Sequence, residues 1–375
     1  MNLKKVFATG AAISALLLNS GAVYADAEAD ASVGDDGTAY SYTEDNDNFV
    51  VENDNVESGL FNLDLGIGVS GFNSQDGNDD DNSLGTGDSE GTAESENFLN
   101  SNVSEIEDEE GEGTADSEAE VGEDGTAYAY AYDNDTVTVT NGNNGRIHNF
   151  SFGLAISGLN SQSGNDDGNE MDTGDSDAMA ATLNELNSNW TMVGGSNSAH
   201  ATATVGDDGT AYAYAQDDDT VLVENTNSAD VLNISAAVAV SGLNSQSGND
   251  DDNSLDTGDS TAESSANNFV NSNVTVVGSG SGSATADASV GEDGNANSYS
   301  YDNDSVKVSN DNDAKVMNVS AGVAVSGGNE QSGNDDGNTL STGSSSGSSC
   351  SSNTVNSNWT AIGSSLPEGG EGGCE

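Results

Sequence analysis

Ser241-Gly-Leu-Asn-Ser-Gln-Ser-Gly-Asn-Asp-Asp-Asp-Asn-Ser-Leu-Asp-Thr-Gly-Asp-Ser260 decides how this chain is read, because it occurs four times. Its other versions begin at Ser70, Ser157 and Ser326. The Gly-Asn pair falls at Gly77-Asn78, Gly164-Asn165, Gly248-Asn249 and Gly333-Asn334, spacings of 87, 84 and 85 residues. Self-similarity at a fixed period is the signature of a repeat architecture. A repeat so poor in catalytic side chains points to an extracellular structural or binding array rather than an enzyme.

Working outward, each unit opens on a second signature. It reads Val33-Gly-Asp-Asp-Gly-Thr-Ala-Tyr, with relatives at Val121, Val205 and Val290. The Asp-Gly pair predicts a hairpin, since Gly tolerates the positive φ of a tight strand-reversing turn. Thr126-Ala-Tyr-Ala-Tyr-Ala-Tyr132 then alternates with period two, as a half-buried strand does. An acidic corner follows at Asp133-Asn134-Asp135, Asp217-Asp218-Asp219 and Asp302-Asn303-Asp304, where Asx side chains favour a turn. Strands are predicted next at Thr136–Thr140, Val231–Val240, Asn268–Val277 and their counterparts. Asp177 to Leu186 has helix-forming Ala, Met and Leu. Its equivalents are rich in Thr, Ser, Asn and Gly, and equivalent positions of a repeat share a structure, so strand is expected there too.

The expected organisation is a leader at 1–25, repeats at 26–110, 111–196, 197–280 and 281–363, and a tail at 364–375. Linkers rich in Gly, Ser and Glu are expected at Glu105 to Ser117, Gly194 to Ser198 and Gly278 to Ser283. Two all-β architectures fit: a tandem-repeat β-solenoid in which each unit supplies several coils, or a string of four small β-sandwich domains. The third unit has few large apolar side chains, mostly Val, which favours the thin core of a solenoid. Asn, Ser and Thr would stack as ladders on successive coils.

Ser241-Gly-Leu-Asn-Ser-Gln-Ser-Gly-Asn249 resembles the curlin-type repeats of bacterial biofilm fibres, which space Ser, Gly, Asn and Gln to form polar ladders inside a solenoid. The likeness covers about ten residues per unit. The period near 85 and the Asp run after Gly-Asn depart from that pattern. The chain is also similar to secreted, Asn- and Gly-rich, Thr-Gly-Asp-containing bacterial repeat proteins of cell surfaces. Both resemblances imply a matrix or adhesive role, and neither transfers a catalytic residue.

Lys4 and Lys5 before the apolar run Val6 to Leu18, then Val23-Tyr24-Ala25, read as a secretory leader cleaved after Ala25. The mature chain then keeps only Arg146, Lys307 and Lys315 against 66 acidic residues. Such a surface repels nucleic acid and anionic lipid, and compaction calls for counter-ions. No other stretch is long and apolar enough for a membrane span. Expected partners are therefore further copies of the chain, other surface or matrix components, and divalent cations. Localisation is expected to be extracellular or at the cell surface. Cys350 and Cys374 could pair with each other or between chains.

No cofactor is required by any motif, and calcium is the ligand the composition suggests. Asp79, Asp80, Asp166, Asp167, Asp250, Asp251, Asp335 and Asp336 concentrate hard oxygen donors in the turn after Gly-Asn. Asp88, Asp175 and Asp259 follow ten residues after each Asn; the fourth copy has Ser344. Calcium takes six to eight such oxygens in flexible geometry, although neither the EF-hand nor the β-roll nonapeptide pattern is present. The alternative is a solvated turn held by Asx caps. Sequons occur at Asn102, Asn134, Asn149, Asn189, Asn233, Asn273, Asn303, Asn318 and Asn358, with ladder formation the preferred role for those asparagines. Trp190 and Trp359 replace Val103 and Val274, which suggests alternate core filling. His148 and His200 fall at unrelated places in their units. A flat Thr/Asn/Ser ladder engaging ice or polysaccharide is the alternative function.

Overall fold

Every β-ladder among the described residues joins one repeat to the next. In the computed structural model, which describes residues 27–77, 82–106, 114–166, 168–194, 198–250, 252–278, 283–335 and 337–363, the strands run parallel from unit to unit. The expected leader and tail lie outside the described residues. Each sheet takes one strand position from all four units, with partners 84 to 88 residues apart, as in Ala127↔Ala211 and Ala39↔Ala127. The fold is an all-β solenoid. It is not a string of sandwiches, whose strands would pair within a unit.

Each unit makes one large coil, which corrects the expectation of several coils per unit. Period-two alternation shows which side chains share a face, but not whether the neighbouring strand lies in the same unit. The first sheet holds Ala27–Val33, Thr114–Val121, Ser198–Val205 and Ser283–Val290. The next, the tyrosine sheet, holds Gly37–Asp45, Gly125–Asp133, Gly209–Asp217 and Gly294–Asp302. These two face each other across a thin layer of alanine and valine, including Ala119, Val121, Ala129, Ala203 and Ala213.

The Asp-Gly hairpin expectation is also corrected. Backbone amides at the turn bond to the adjacent coil, Gly122 N–H to Val33 O at 2.8 Å and Gly125 N–H to Asp208 O at 3.1 Å. With those groups committed between coils, the chain can only fold back through side-chain contact, forming an arch. The Thr43 hydroxyl, for example, crosses to the Asp116 carbonyl at 2.7 Å.

Beyond the acidic corner runs the long sheet: Asn48–Val69, Thr136–Ile156, Thr220–Val240 and Ser305–Val325. Two narrow sheets carry the Ser-Gln-Ser and Thr-Gly-Asp parts of the repeated motif, as in Ser161–Ser163 and Glu170–Thr173. Gly77, Gly164, Gly248 and Gly333 turn there with φ of 64 to 68°, a conformation that glycine adopts without Cβ strain. Thr-Gly-Asp closes one strand and turns the corner into the next. The return sheet, built on Ser89–Leu99, Ser176–Val193, Ser260–Val277 and Ser345–Val355, then packs back on the long sheet. Asp177 to Leu186 is strand within it.

The core between long and return sheets is layered. Val137, Val139, Val193 and Val223 fill one end, Ile147, Leu186, Val231 and Val270 the middle, and Ala155, Ala178, Ala239 and Ala262 the narrow end. Trp190 and Trp359 are outward and half-buried rather than core residues. The expected linker at Glu105 to Ser117 is shorter than predicted, since Asn102–Ile106 and Thr114–Val121 are strands. Cys350 is disulfide-bonded; Cys374 lies outside the described residues.

Candidate functional site: amide ladders, two outer faces and a buried acidic corner

Between the valine and alanine layers, asparagines from facing sheets interlock. Asn149 donates to Asn184 Oδ1 at 2.7 Å and to Asn233 Oδ1 at 2.9 Å, and accepts from Asn62 at 3.2 Å and Asn97 at 3.1 Å. Asn184 donates to Asn233 at 2.9 Å and Asn268 at 2.7 Å. A primary amide has two donors and two lone pairs, so Asn149 is fully satisfied. A second ladder links Asn143, Asn189, Asn227 and Asn273 in the same way. Five sequon asparagines, Asn102, Asn149, Asn189, Asn233 and Asn273, are buried in these ladders. A glutamine column runs through Gln162 and Gln246, donating at 3.1 and 2.9 Å in the opposite direction.

The ladders have a direction. Asn53 donates to Asn141, Asn141 to Asn225 and Asn225 to Asn310, at 2.7 to 2.8 Å. In the first coil, no described residue donates to the side-chain oxygens of Asn53, Asn55 or Asn62. The columns end in the fourth coil at Asn310, Asn312 and Asn318.

Two outer faces are distinct from the acidic remainder. All nine described tyrosines lie on the outer side of the tyrosine sheet. Tyr42, Tyr130, Tyr214 and Tyr299 form one column, and neighbouring rings lie 5.4 to 6.4 Å apart. On the outer side of the long sheet, columns beginning at Phe61, Leu63, Leu65, Ile67 and Val69 are apolar in every coil, interrupted only by His148. Phe61, Leu63 and Ile67 are more than 60% exposed. From strand rise and coil spacing the patch measures roughly 30 by 15 Å. It contains no carboxylate, and Arg146, Asp230 and Lys315 border it in the next column.

The turns singled out in the sequence lie elsewhere on the coil. Asp166, Asp250 and Asp335 are on its surface; Asp79, Asp80, Asp167, Asp251 and Asp336 lie outside the described residues. Asp88, Asp175 and Asp259 form an exposed column in which each carboxylate accepts a backbone amide of the following coil. Asp175 N–H donates to Asp88 at 2.9 Å, Asp259 N–H to Asp175 at 2.8 Å and Ser344 N–H to Asp259 at 2.7 Å. Asp88, Ser89, Glu90, Asp175 and Asp177 line an open depression of about 340 Å³. The structure does not bring Asp166 or Asp250 together with this column in a common carboxylate cluster.

Among the described residues carboxylates converge in an exposed group of Asp207, Asp208 and Glu292 and in two groups in the acidic corner. Asp133 and Asp217 are fully buried, and no donor reaches either oxygen of either side chain. Asp133, Asp135 and Asp219 bring carboxylate oxygens within 4.8 Å of one another, and so do Asp217, Asp219 and Asp304. Backbone amides fix one oxygen of the second Asp in each corner: Asp47 N–H to Asp135 Oδ1 at 2.7 Å, Asp135 N–H to Asp219 Oδ1 at 3.3 Å. Burial, then the Asp135 carboxylate, pushes Asp133 up to about 8. Burial, then Asp219, pushes Asp217 up to about 8. Burial lifts Asp135 to about 6 against the opposing Asp47 amide. The missed signal was an Asp-x-Asp at the same register in all four units, which reads as a solvated turn until the coils are stacked.

No protein-family model, no curated protein and no solved structure matches this chain. His200 sits at 3.3 Å from Asp116 and 4.0 Å from Asp287 on the outer surface. No helix among the described residues is long and apolar enough to cross a membrane.

Proposed function

We propose that this chain is a non-catalytic, extracellular structural protein of a cell surface or matrix that assembles with further copies of itself. The observation that carries this reading is the pair of complementary ends. The first coil presents asparagine oxygens, and the fourth ends the same columns from the donating side. A fourth coil can therefore stack on the first coil of another copy by repeating a contact already made three times inside the chain. Such head-to-tail contacts do not close and generate filaments. Unpaired edge strands add backbone donors and acceptors to the same junction. The apolar outer face exceeds scattered surface hydrophobics in extent and fits lateral packing against the same face of a second copy. The leader-like start of the chain and the disulfide at Cys350 support an oxidising exterior.

Negative-stain electron microscopy of the purified chain across concentration tests the proposal. Filaments of coil-stacked particles are expected, and Asn310→Asp with Asn312→Asp should shorten them by placing charge at the donating end. A chain that stays monomeric at millimolar concentration refutes it. The tyrosine stripe supports a second reading, polysaccharide binding, because stacked phenol faces suit sugar rings. Retention on insoluble polysaccharide that is lost in Tyr130→Ala/Tyr214→Ala would establish that role instead.

A further inference from the structure

The geometry points to a pair of calcium-class cation sites inside the acidic corner, one held by Asp133, Asp135 and Asp219 and the other by Asp217, Asp219 and Asp304. This goes beyond the assembly reading, and ion binding is measurable on the monomer whether or not filaments form.

The first argument is convergence. Each group places three carboxylate oxygens within 4.8 Å of one another, the greatest separation that two ligands of a single ion with bonds of about 2.4 Å can have. The second, independent of clustering, is desolvation. Asp133 and Asp217 are 0% exposed, and neither has a hydrogen-bond donor at either oxygen. A buried carboxylate is retained as an anion only when paired or coordinated and otherwise holds its proton, and neither Lys, Arg nor His is present in either group. The third is preorganisation. The Asp47 and Asp135 amides hold Asp135 and Asp219 by one oxygen each. Those side chains are thereby oriented before any ion arrives. An all-oxygen set without sulfur or imidazole selects a hard cation. Carboxylates able to bind through one or two oxygens, with water completing the shell, suit calcium better than the strict octahedron of magnesium.

Asp219 belongs to both groups. Two ions one coil apart would share it, so the ions would clip coil two to three and coil three to four. The exposed Asp88–Asp175–Asp259 column shares the amide contact but lacks the burial, its members being open to solvent.

The test is a melting curve of the full secreted chain in EDTA and in 1 mM calcium chloride, with titration calorimetry for stoichiometry. The expected result is a rise in Tm of at least about 5 °C and a saturable class of two ions per chain, with Kd at or below about 1 mM. Asp133→Asn/Asp217→Asn keeps the side-chain shape and removes two carboxylate ligands. It should lose most of the calcium response. Asp88→Asn/Asp175→Asn should keep that response. Terbium chloride provides a readout free of mutation: Tyr132 immediately precedes Asp133, so tyrosine-sensitised emission that calcium displaces at two equivalents is expected. No calcium-dependent rise in Tm, or a full response in the Asp133/Asp217 variant, overturns the assignment.

Discussion

Replacing Asn149 tests the amide ladder at its centre. The side chain makes four hydrogen bonds, two given and two received, at 2.7 to 3.2 Å. A net value near 1 kcal/mol per bond gives about 4 kcal/mol for losing all four. Asn149→Leu realises that loss, since leucine fills the space and excludes water. Asn149→Ala leaves a polar cavity about the size of one water, and a water with several amide partners recovers part of it, so about 2 kcal/mol is expected. Asn318→Ala removes the same type of contact at the fourth coil, where Asn318 donates at 2.8 Å to Asn353 and accepts at 2.9 Å from Asn233. Solvent already reaches that position, so its cost in the monomer should stay below about 1 kcal/mol. The assay is guanidinium unfolding followed by far-ultraviolet circular dichroism. Asn149→Leu must cost the most, Asn149→Ala less, and Asn318→Ala the least. An Asn149→Leu protein within about 1 kcal/mol of wild type would show that the ladder is not what holds the facing sheets together. In filaments, Asn318→Ala should become costly, because stacking buries that position.

Three further outcomes follow from particular contacts. A methyl at Gly153 would lie 2.3 Å from the Met179 carbonyl oxygen and 2.7 Å from that of Gly91, so Gly153→Ala should cost about 2–3 kcal/mol in the same unfolding assay. Gly85→Ala, whose methyl meets nothing within 4 Å, should be neutral. Glu185 is buried with Oε2 unpartnered, and Phe98 and Phe269 are its register partners. Burial raises its pKa, with the Ser188 hydroxyl opposing. The folded chain therefore keeps this proton to higher pH than the unfolded chain does, and stability is full below the unfolded value and lost as pH rises through the folded one. Glu185→Gln should match wild type at pH 4 and melt higher at pH 8; a difference independent of pH contradicts this. Leu154→Asp, on the outer apolar face, should leave the melting temperature nearly unchanged while abolishing lateral association in sedimentation velocity.

The period, the strands and the solenoid class were legible because alternation and repetition are written residue by residue. Ala127, Ala129 and Ala131 are buried and Tyr128, Tyr130 and Tyr132 face outward, as the pattern at Thr126–Tyr132 allows. The partner of each strand was harder to see. Asp-Gly at residues 36–37 is as compatible with an arch as with a hairpin, and only the commitment of Gly122 and Gly125 amides to adjacent coils separates the two. The sequence drew attention to a different neighbourhood from the corner where buried carboxylates converge. Asp166 and Asp250 are conspicuous in composition yet lie at the surface, whereas Asp133 and Asp217 look like ordinary turn residues. Their burial arises from stacking, which no single unit reveals.

In-register stacking explains why the chain discriminates so sharply between Asn and Asp. Parallel coils place each side chain about 4.8 Å from its own equivalent. An amide can donate to a copy of itself, so Asn141, Asn149 and Asn189 extend indefinitely without a partner of another type. A carboxylate accepts only, and stacking it repeats the same charge along a dry column. On the surface that repulsion is weak, about 1 kcal/mol per pair in water, and salt screens it. In the corner, Asp133 and Asp217 are shielded from solvent and have no donor. Asn in the ladders but Asp in the corner makes chemical sense if a positive charge completes the acidic column. On the proposed assembly and cation sites, the same logic would separate two modes of growth: amide columns would add coils from any copy, while ionised acidic columns would add them where cations are supplied.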